Sequence, residues 1–523
     1  MPDPVIAAAS VAVVITARPS WRDPTRHAWR RDAGLLALGA ILLRVPAFVA
    51  SRHLTFDDGQ YGAVVLGLRD GDLPFRDLFS SQGPLYYPLL GLADLIGLRT
   101  MNGARLLPVA AGAVAVVATY AIGRRVTSRG GALLAGGLVA TSGSLLYVTA
   151  PLSGDGPALA LAVVAVALAF RYHARPSGLL AIGIGLTIGA ALCVKLIVAP
   201  AAIPVGLLLL SPTWRERRVR DFLTAVGVAI GVFLASALPW GIERVWDQSV
   251  LYHQDSKRLR SYGANLTTLL RTLAERDPFI VAAVLASLAT IAAVAWRHRH
   301  RHRVAGEGDD ASLSVTGTAT EVPAAPGGEV GTRLAAGILG AWLGAQMLFL
   351  VLEPAMWRPH VSQVVVPLSL LAALRPAPWR VLAVLFIVLV PWWVLNTRDI
   401  LWPHGYSRAE ATAVDRLRAL PPDAWVISDD PGFAWRAERR VPGKFVDVSM
   451  KRFQQHQITT GIVGKAAADP RVCAVLVWSK DRLGSLTALP DRLADEGYEV
   501  VERFPGHEAR VLYARSDCSP SSG

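Results

Sequence analysis

The sequence is poor in the residues that work through thiols or metals. It holds three cysteines in 523 residues, Cys193, Cys473 and Cys518, with neither a disulfide framework nor metal-ligand spacing. Charge is scarce as well: Asp, Glu, Lys and Arg make up 18% of the chain, against roughly a quarter in soluble proteins. No Walker-type glycine-rich loop and no dinucleotide fingerprint stands at a strand–helix junction, which sets aside the common nucleotide-dependent chemistries. The start of the chain does not have the expected pattern of a cleaved signal. The short apolar stretch 4–17 has no basic residues ahead of it, and Arg18, Arg22, Arg26, Arg30 and Arg31 follow where a cleavage site would stand. A loose leader or an overlong start fits that stretch better.

What the chain has is apolar length. Hydrophobic residues reach 52%, and uncharged runs of about 17–22 residues recur, enough to cross a ~30 Å hydrocarbon core. Spans read at 33–50, 104–122, 131–149, 156–171, 178–194, 196–211, 222–239, 279–296, 333–352, 361–374 and 380–396, about eleven in all. The stretch 178–211 must hold two short helices turning near Lys195. The expected fold class is an α-helical polytopic membrane protein.

The surplus positive charge of +13 lies in clusters at 18–31, 124–129, 171–175, 214–220, 297–303 and 375–380. All of them fall on one side if the N-terminus is cytoplasmic. The charge therefore reads as a topology signal and not as a nucleic-acid footprint. His298, His300 and His302 alternate with arginine, so a helix would scatter them and no metal site results.

The expected organisation is a cytoplasmic segment over 1–32, a membrane domain over 33–403, and a small extracytoplasmic α/β domain over 404–523. Within the membrane domain, 51–100 is the first outer loop and 304–330 a low-complexity cytoplasmic linker without structure. In the last domain, strands are predicted at 424–428, 472–478, 498–504 and 509–513, with helical patterns at 452–468 and 485–496. Asp429 and Asp430 have the composition of a turn. An extracytoplasmic location would let Cys473 and Cys518 pair.

Polar residues gather on the outer side. Asp57 and Asp58 lead into Tyr61–Arg69, and Pro84–Gly97 forms a second apolar stretch; both have the pattern of helices lying in the interface. Two such pieces around an acid pair would floor a cavity at the membrane surface. Asp155 opens the next outer loop, either as a helix N-cap acid or as part of that cavity. Lys195 stands alone between apolar runs, where it either snorkels or holds a phosphate. His253 sits in a loop of mixed basic and aromatic residues suited to anionic headgroups and sugars, while Arg358 and His360 close the last outer segment. Acids and cations on one face suit a lipid-anchored phosphate donor: a carboxylate takes the acceptor proton and cations offset charge on the leaving phosphate.

In this order and sidedness, Phe56-Asp57-Asp58-Gly59-Gln60-Tyr61, Gly71–Asp77, Gln82-Gly83-Pro84-Leu85, Arg105, Ser153–Pro157, Lys195 and Trp357–His360 resemble the GT-C class of integral-membrane glycosyltransferases. The likeness is to the protein-mannosyltransferase, ArnT and RgtA/B/C/D-like group (glycosyltransferase family 39-like) over roughly 33–396. The resemblance implies a polyprenyl-phosphate sugar donor and a cell-wall glycan, lipid or protein acceptor at the outer face of a bacterial plasma membrane. It implies Asp57 as base, with Asp58 in place of the usual glutamate, so that either acid is a candidate. Asp155, Lys195, Arg358, His360, Gln82, Tyr61 and His253 are the expected donor-binding residues. Some relatives bind a divalent ion, but no ligand set for one is visible here. The C-terminal domain is expected to be accessory, for instance in acceptor binding. The rival reading is a transporter or flippase for a lipid-linked or anionic substrate, since bundles with internal charge also suit transport.

Overall fold

The computed structural model describes residues 24–211, 215–254, 257–306, 331–506 and 510–518. The leader-like stretch 4–17 and most of the predicted linker lie outside them. The helix Pro278–Gly306 runs three residues into the segment read as linker.

The described residues are mostly helical, as expected for a polytopic membrane protein. Six helices are long and apolar enough to cross a membrane: Gly103–Val126, Asp155–Ala174, Arg218–Trp240, Pro278–Arg297, Thr332–Leu352 and Trp379–Leu401. A pair bent by 58°, Arg129–Ala140 with Gly143–Thr149, makes a seventh if it crosses as one span. The other predicted spans correspond to shorter pieces. The first is a charged helix, Pro24–Leu42, followed by one turn at Val45–Phe48. The 178–211 stretch divides at Lys195 into Gly178–Val194 and Leu196–Leu210. Ser362–Leu374 follows a 3-10 turn. Composition counts apolar residues, whereas a span must also be straight and long, so the two readings part at these pieces.

The C-terminal part carries a four-stranded sheet: β1 (Trp425–Ser428), β2 (Val472–Val477), β3 (Tyr498–Arg503) and β4 (Val511–Arg515). The strand order is β1-β2-β4-β3, with β1 parallel to β2 and the remaining pairs antiparallel. β2 is buried along its whole length, consistent with its run of small and β-branched apolar residues. Cys473, at the start of β2, is disulfide-bonded to Cys518 just beyond β4. The helical pattern over 452–468 breaks into Met450–Gln454 and Thr460–Ala467, and that over 485–496 shortens to Leu489–Asp495. Asp430 does more than make a turn: its carboxylate caps a short helix, Pro431–Arg436, by accepting from the Gly432 N–H at 3.2 Å.

That short helix lies against Phe56–Arg69, the helix that carries the acid pair. Phe56–Arg69 is therefore not a helix floating in the interface, because Asp58–Val65 and Gly67 are buried. A Cβ at Gly62 would run into the Trp435 indole, so only glycine permits this approach. The second stretch is mixed: Tyr86, Tyr87, Leu90 and Ala93 are buried, while Leu92, Leu95 and Ile96 are exposed.

Gly62→Leu should force the two helices apart, costing about 1–3 kcal/mol as overpacked sites do. A lowered apparent melting temperature, with faster proteolysis between the membrane and C-terminal parts, is the expected result.

Candidate active site

Thr55 starts the acidic helix. Its hydroxyl accepts from the Asp58 N–H at 3.1 Å, and both acids fall in the first turn, where the helix dipole favours negative charge. From there the two aspartates have different surroundings.

Asp58 is fully buried and fully engaged. Arg105, also fully buried, pairs with its Oδ2 and donates from Nε to Oδ1 at 3.1 Å. The Leu152 N–H donates to Oδ1 at 2.8 Å and the Leu54 N–H to Oδ2 at 2.9 Å. Burial alone would raise the Asp58 pKa, but the Arg105 charge and these donors hold it below the usual carboxylate range. The remaining Arg105 donors go to the carbonyls of Ala47, Ala50 and Arg52. Asp58 thus ties the acidic helix to the Gly103–Val126 span and to the 150–152 turn, with no lone pair left for chemistry.

Asp57 is the opposite case. Among the described residues it forms no hydrogen bond or ion pair, and it is partly accessible to solvent. Protein nevertheless surrounds it closely enough that burial pushes its pKa up to about 6. Asp155 and Asp447 add to that rise, while Lys195 and His360 oppose it.

The Asp57 surroundings are built from several segments. The loop at Gly83 packs its backbone onto the end of the Gly178–Val194 helix: the Gly83 N–H donates to the Val194 carbonyl at 3.2 Å and the Leu85 N–H to the Cys193 carbonyl at 3.0 Å. A Cβ at Gly83 would strike the Cys193 carbonyl, which explains glycine there. This seam puts Gln82 beside Lys195 and the 153–155 turn. Lys195 Nζ donates to Asp155 Oδ2 at 2.6 Å, and Ser153 Oγ to the same oxygen at 3.2 Å. Tyr61 packs edge-on to Tyr86, with ring centroids 4.8 Å apart. Three buried polar atoms here, Gln82 Oε1, Tyr86 Oη and Asp155 Oδ1, find no partner among the described residues. Buried polar atoms are rarely left so unless a ligand or water meets them.

His360 Nδ1 lies 2.8 Å from Glu353 Oε2, with the ring close enough to Asp57 and Asp155 to act on both carboxylates. His253 contacts the Ser81 carbonyl through Nε2 at 2.8 Å, and burial first, then Lys451, pushes its pKa down to about 4. A neutral ring with its proton on Nε2 follows from that contact. Arg358 is not part of this group: it pairs with Glu275, facing Arg276 and Tyr147. Among the described residues no group of three or more His, Cys, Asp or Glu is arranged to hold a metal ion.

Reading the sequence did not single out Ser81, Tyr86, Glu353, Asp447 or Lys451. Glu353 could have been found from its place seven residues before His360. Asp447 and Lys451 come from the C-terminal domain, and no local pattern announces them. Asp447 Oδ2 accepts from Ser81 Oγ at 2.6 Å, and Ser81 Oγ in turn accepts from Gln82 Nε2 at 3.2 Å. That chain turns Gln82 Oε1 away from Ser81.

Beside Gly83 and Cys193 opens an apolar cavity of about 730 Å³, running down between the helices at 178–194, 202–210 and 215–237. Ile188, Leu192, Phe222, Val226 and Ile230 are among its walls, and Ser249 and Val250 also line it.

The architecture has close counterparts. ArnT from Cupriavidus metallidurans in the apo state superposes with a TM-score of 0.64 at 12% identity, covering 95% of this chain and 99% of that one. The same protein bound to undecaprenyl phosphate gives 0.61, at 12% identity, with 94% and 99% covered. The chain has the GT-C fold. A second GT-C protein, the archaeal oligosaccharyltransferase AglB from Archaeoglobus fulgidus in complex with an inhibitory peptide and a dolichol-phosphate, gives 0.50 at 13% identity, with 96% and 76% covered. Residues 81–240 match the family model of dolichyl-phosphate-mannose-protein mannosyltransferase. No curated protein matches the sequence. The chain thus has the fold of these membrane proteins, and within it residues 81–240 match a glycosyltransferase family model.

The two aspartates should separate by experiment. Asp58→Asn breaks a buried ion pair, which typically costs about 3–5 kcal/mol, and should lower the yield of folded protein and its melting temperature. Asp57→Asn removes a charge with no partner and should leave the melting temperature unchanged or raised.

Proposed function

We propose that the protein transfers a glycosyl group from a polyprenyl-phosphate sugar to a hydroxyl-bearing acceptor (a glycan, lipid or protein) at the outer face of a bacterial plasma membrane. The observation that carries this reading is the contrast within the acid pair. One carboxylate is consumed by structure, and its neighbour is unpaired with a pKa near 6. A base whose pKa lies close to working pH is both ionised and able to hold a proton.

In the reaction, the acceptor oxygen forms a bond to the anomeric carbon while the bond from that carbon to the donor phosphate oxygen breaks. The acceptor proton passes to Asp57, and polyprenyl phosphate leaves as the anion. Lys195, held by Asp155, keeps positive charge near the developing phosphate charge. Gln82 Oε1 and Asp155 Oδ1 are acceptors with no protein partner, suited to sugar hydroxyls, and Tyr86 Oη can donate.

The apolar cavity supports a prenyl chain as the donor's anchor: its walls are hydrocarbon and it ends beside Gly83 and Cys193, adjoining Gln82 and Lys195. The Cys473–Cys518 disulfide supports an outer position for the C-terminal domain, since such bonds persist in oxidising compartments. With the site built partly from that domain, the chemistry belongs on the same side.

Purified protein given a panel of polyprenyl-phosphate sugars and glycan acceptors should release polyprenyl phosphate. Asp57→Asn should reduce that release by about 10²–10⁴-fold, the usual worth of a general base. No release with any donor, or full activity in Asp57→Asn, would sink the reading. The rate should also follow the ionisation of Asp57. Below about pH 6 the carboxylate is protonated and kcat/KM falls; above it the rate reaches a plateau. A profile flat from pH 5 to 8 would remove Asp57 from the role.

A further inference from the structure

Of the two lysines at the site, one is already committed. Lys195 spends its charge on Asp155 at 2.6 Å. Lys451, from the short helix Met450–Gln454 of the C-terminal domain, has no such partner: among the described residues no carboxylate lies within ion-pair distance of its ammonium. Its one hydrogen-bond partner among the described residues is His253 Nδ1 at 3.4 Å, on a ring that is neutral and offers only a lone pair. The nearby acids are engaged elsewhere, Glu353 with His360 and Asp447 with Ser81. Lys451 is only partly exposed, and burial together with Lys195 holds its pKa below the usual lysine range, against the opposing pull of Glu353 and Asp447. A half-buried cation beside another cation, without its own anion, is costly unless a ligand supplies one.

Its position indicates which anion. Ser249 and Val250 line the apolar cavity, and one turn further on Tyr252 and His253 meet the C-terminal domain. The Tyr252 hydroxyl bonds with Ser449 Oγ at 2.9 Å, and Gln455 Nε2 donates to the Tyr252 carbonyl at 3.1 Å, so Lys451 is held between two anchors. The segment that lines the cavity thus continues directly to the residue that touches Lys451.

We infer that Lys451 is a binding residue for the phosphate of a lipid-linked ligand, so that the C-terminal domain completes the donor site across from Lys195. This rests on the glycosyl-transfer reading and deepens it. The lysine would hold the phosphate as a point charge, with its hydrocarbon stem lying along the protein.

The test compares undecaprenyl phosphate with undecaprenol, which has the same chain without the charge, on full-length wild type, Lys451→Gln and Lys451→Arg in detergent. Wild type should prefer the phosphate. Lys451→Gln should lose about tenfold or more of its phosphate affinity, as the loss of a charge-assisted contact gives, while binding undecaprenol as before. Lys451→Arg should recover most of the loss. An unchanged phosphate affinity in Lys451→Gln would overturn the inference and leave the donor reading standing. Equal losses for both ligands would mark a packing role and overturn it as well. If wild type bound alcohol and phosphate alike, the donor reading itself would fall, and the inference with it.

Discussion

The buried pair of Arg105 and Asp58 is the point on which this half of the molecule is hung. Two opposite charges, both wholly out of water, are tolerable only if every donor and acceptor is used, and here nearly all are. The pair joins the Phe56–Arg69 helix, the Gly103–Val126 helix and the 150–152 turn. Arg436 of the C-terminal domain adds to the same knot, donating to the Arg52 carbonyl at 2.9 Å and to Asn102 Oδ1 at 2.9 Å. Its guanidinium lies over the Trp435 ring at 3.8 Å. Helix start, span and C-terminal domain are thereby fixed relative to one another before any ligand arrives.

Asp57 gains its character from this fixation. One residue away from Asp58 in a helix, it projects about 100° round the axis, away from the arginine. The clamp holds the helix still, and the neighbouring carboxylate is free to face Lys195, Asp155 and His360. Pre-positioned charge in a partly dry site is what makes electrostatic catalysis effective, because nothing must reorganise when the reaction begins.

Much of this was legible in the chain. The long apolar runs, the break at Lys195 and the positions of the four strands follow from periodicity and hydropathy, which are local. Asp57, Asp58, Asp155, Lys195 and His360 stand out in the sequence because polar residues are conspicuous beside apolar spans. Which aspartate is free was not legible, since it depends on an arginine 47 residues further along and on a backbone N–H at Leu152. Arg358 was expected to join the site and instead pairs with Glu275, a partner chosen by helix placement and not by sequence spacing. Asp447 and Lys451 were invisible for the same reason: only tertiary packing carries them across to Ser81 and His253.

The close seam between Phe56–Arg69 and Pro431–Arg436 has a consequence for modularity. With the Trp435 indole seated where a side chain at residue 62 would be, the C-terminal domain and the acid-bearing helix share one interlocking surface. They must vary as a unit, and a chimera that takes this domain from one homologue and the membrane part from another would inherit a mismatched joint directly behind Asp57. Recombination between such proteins should be tolerated at breakpoints that keep 56–69 and 431–436 from the same parent.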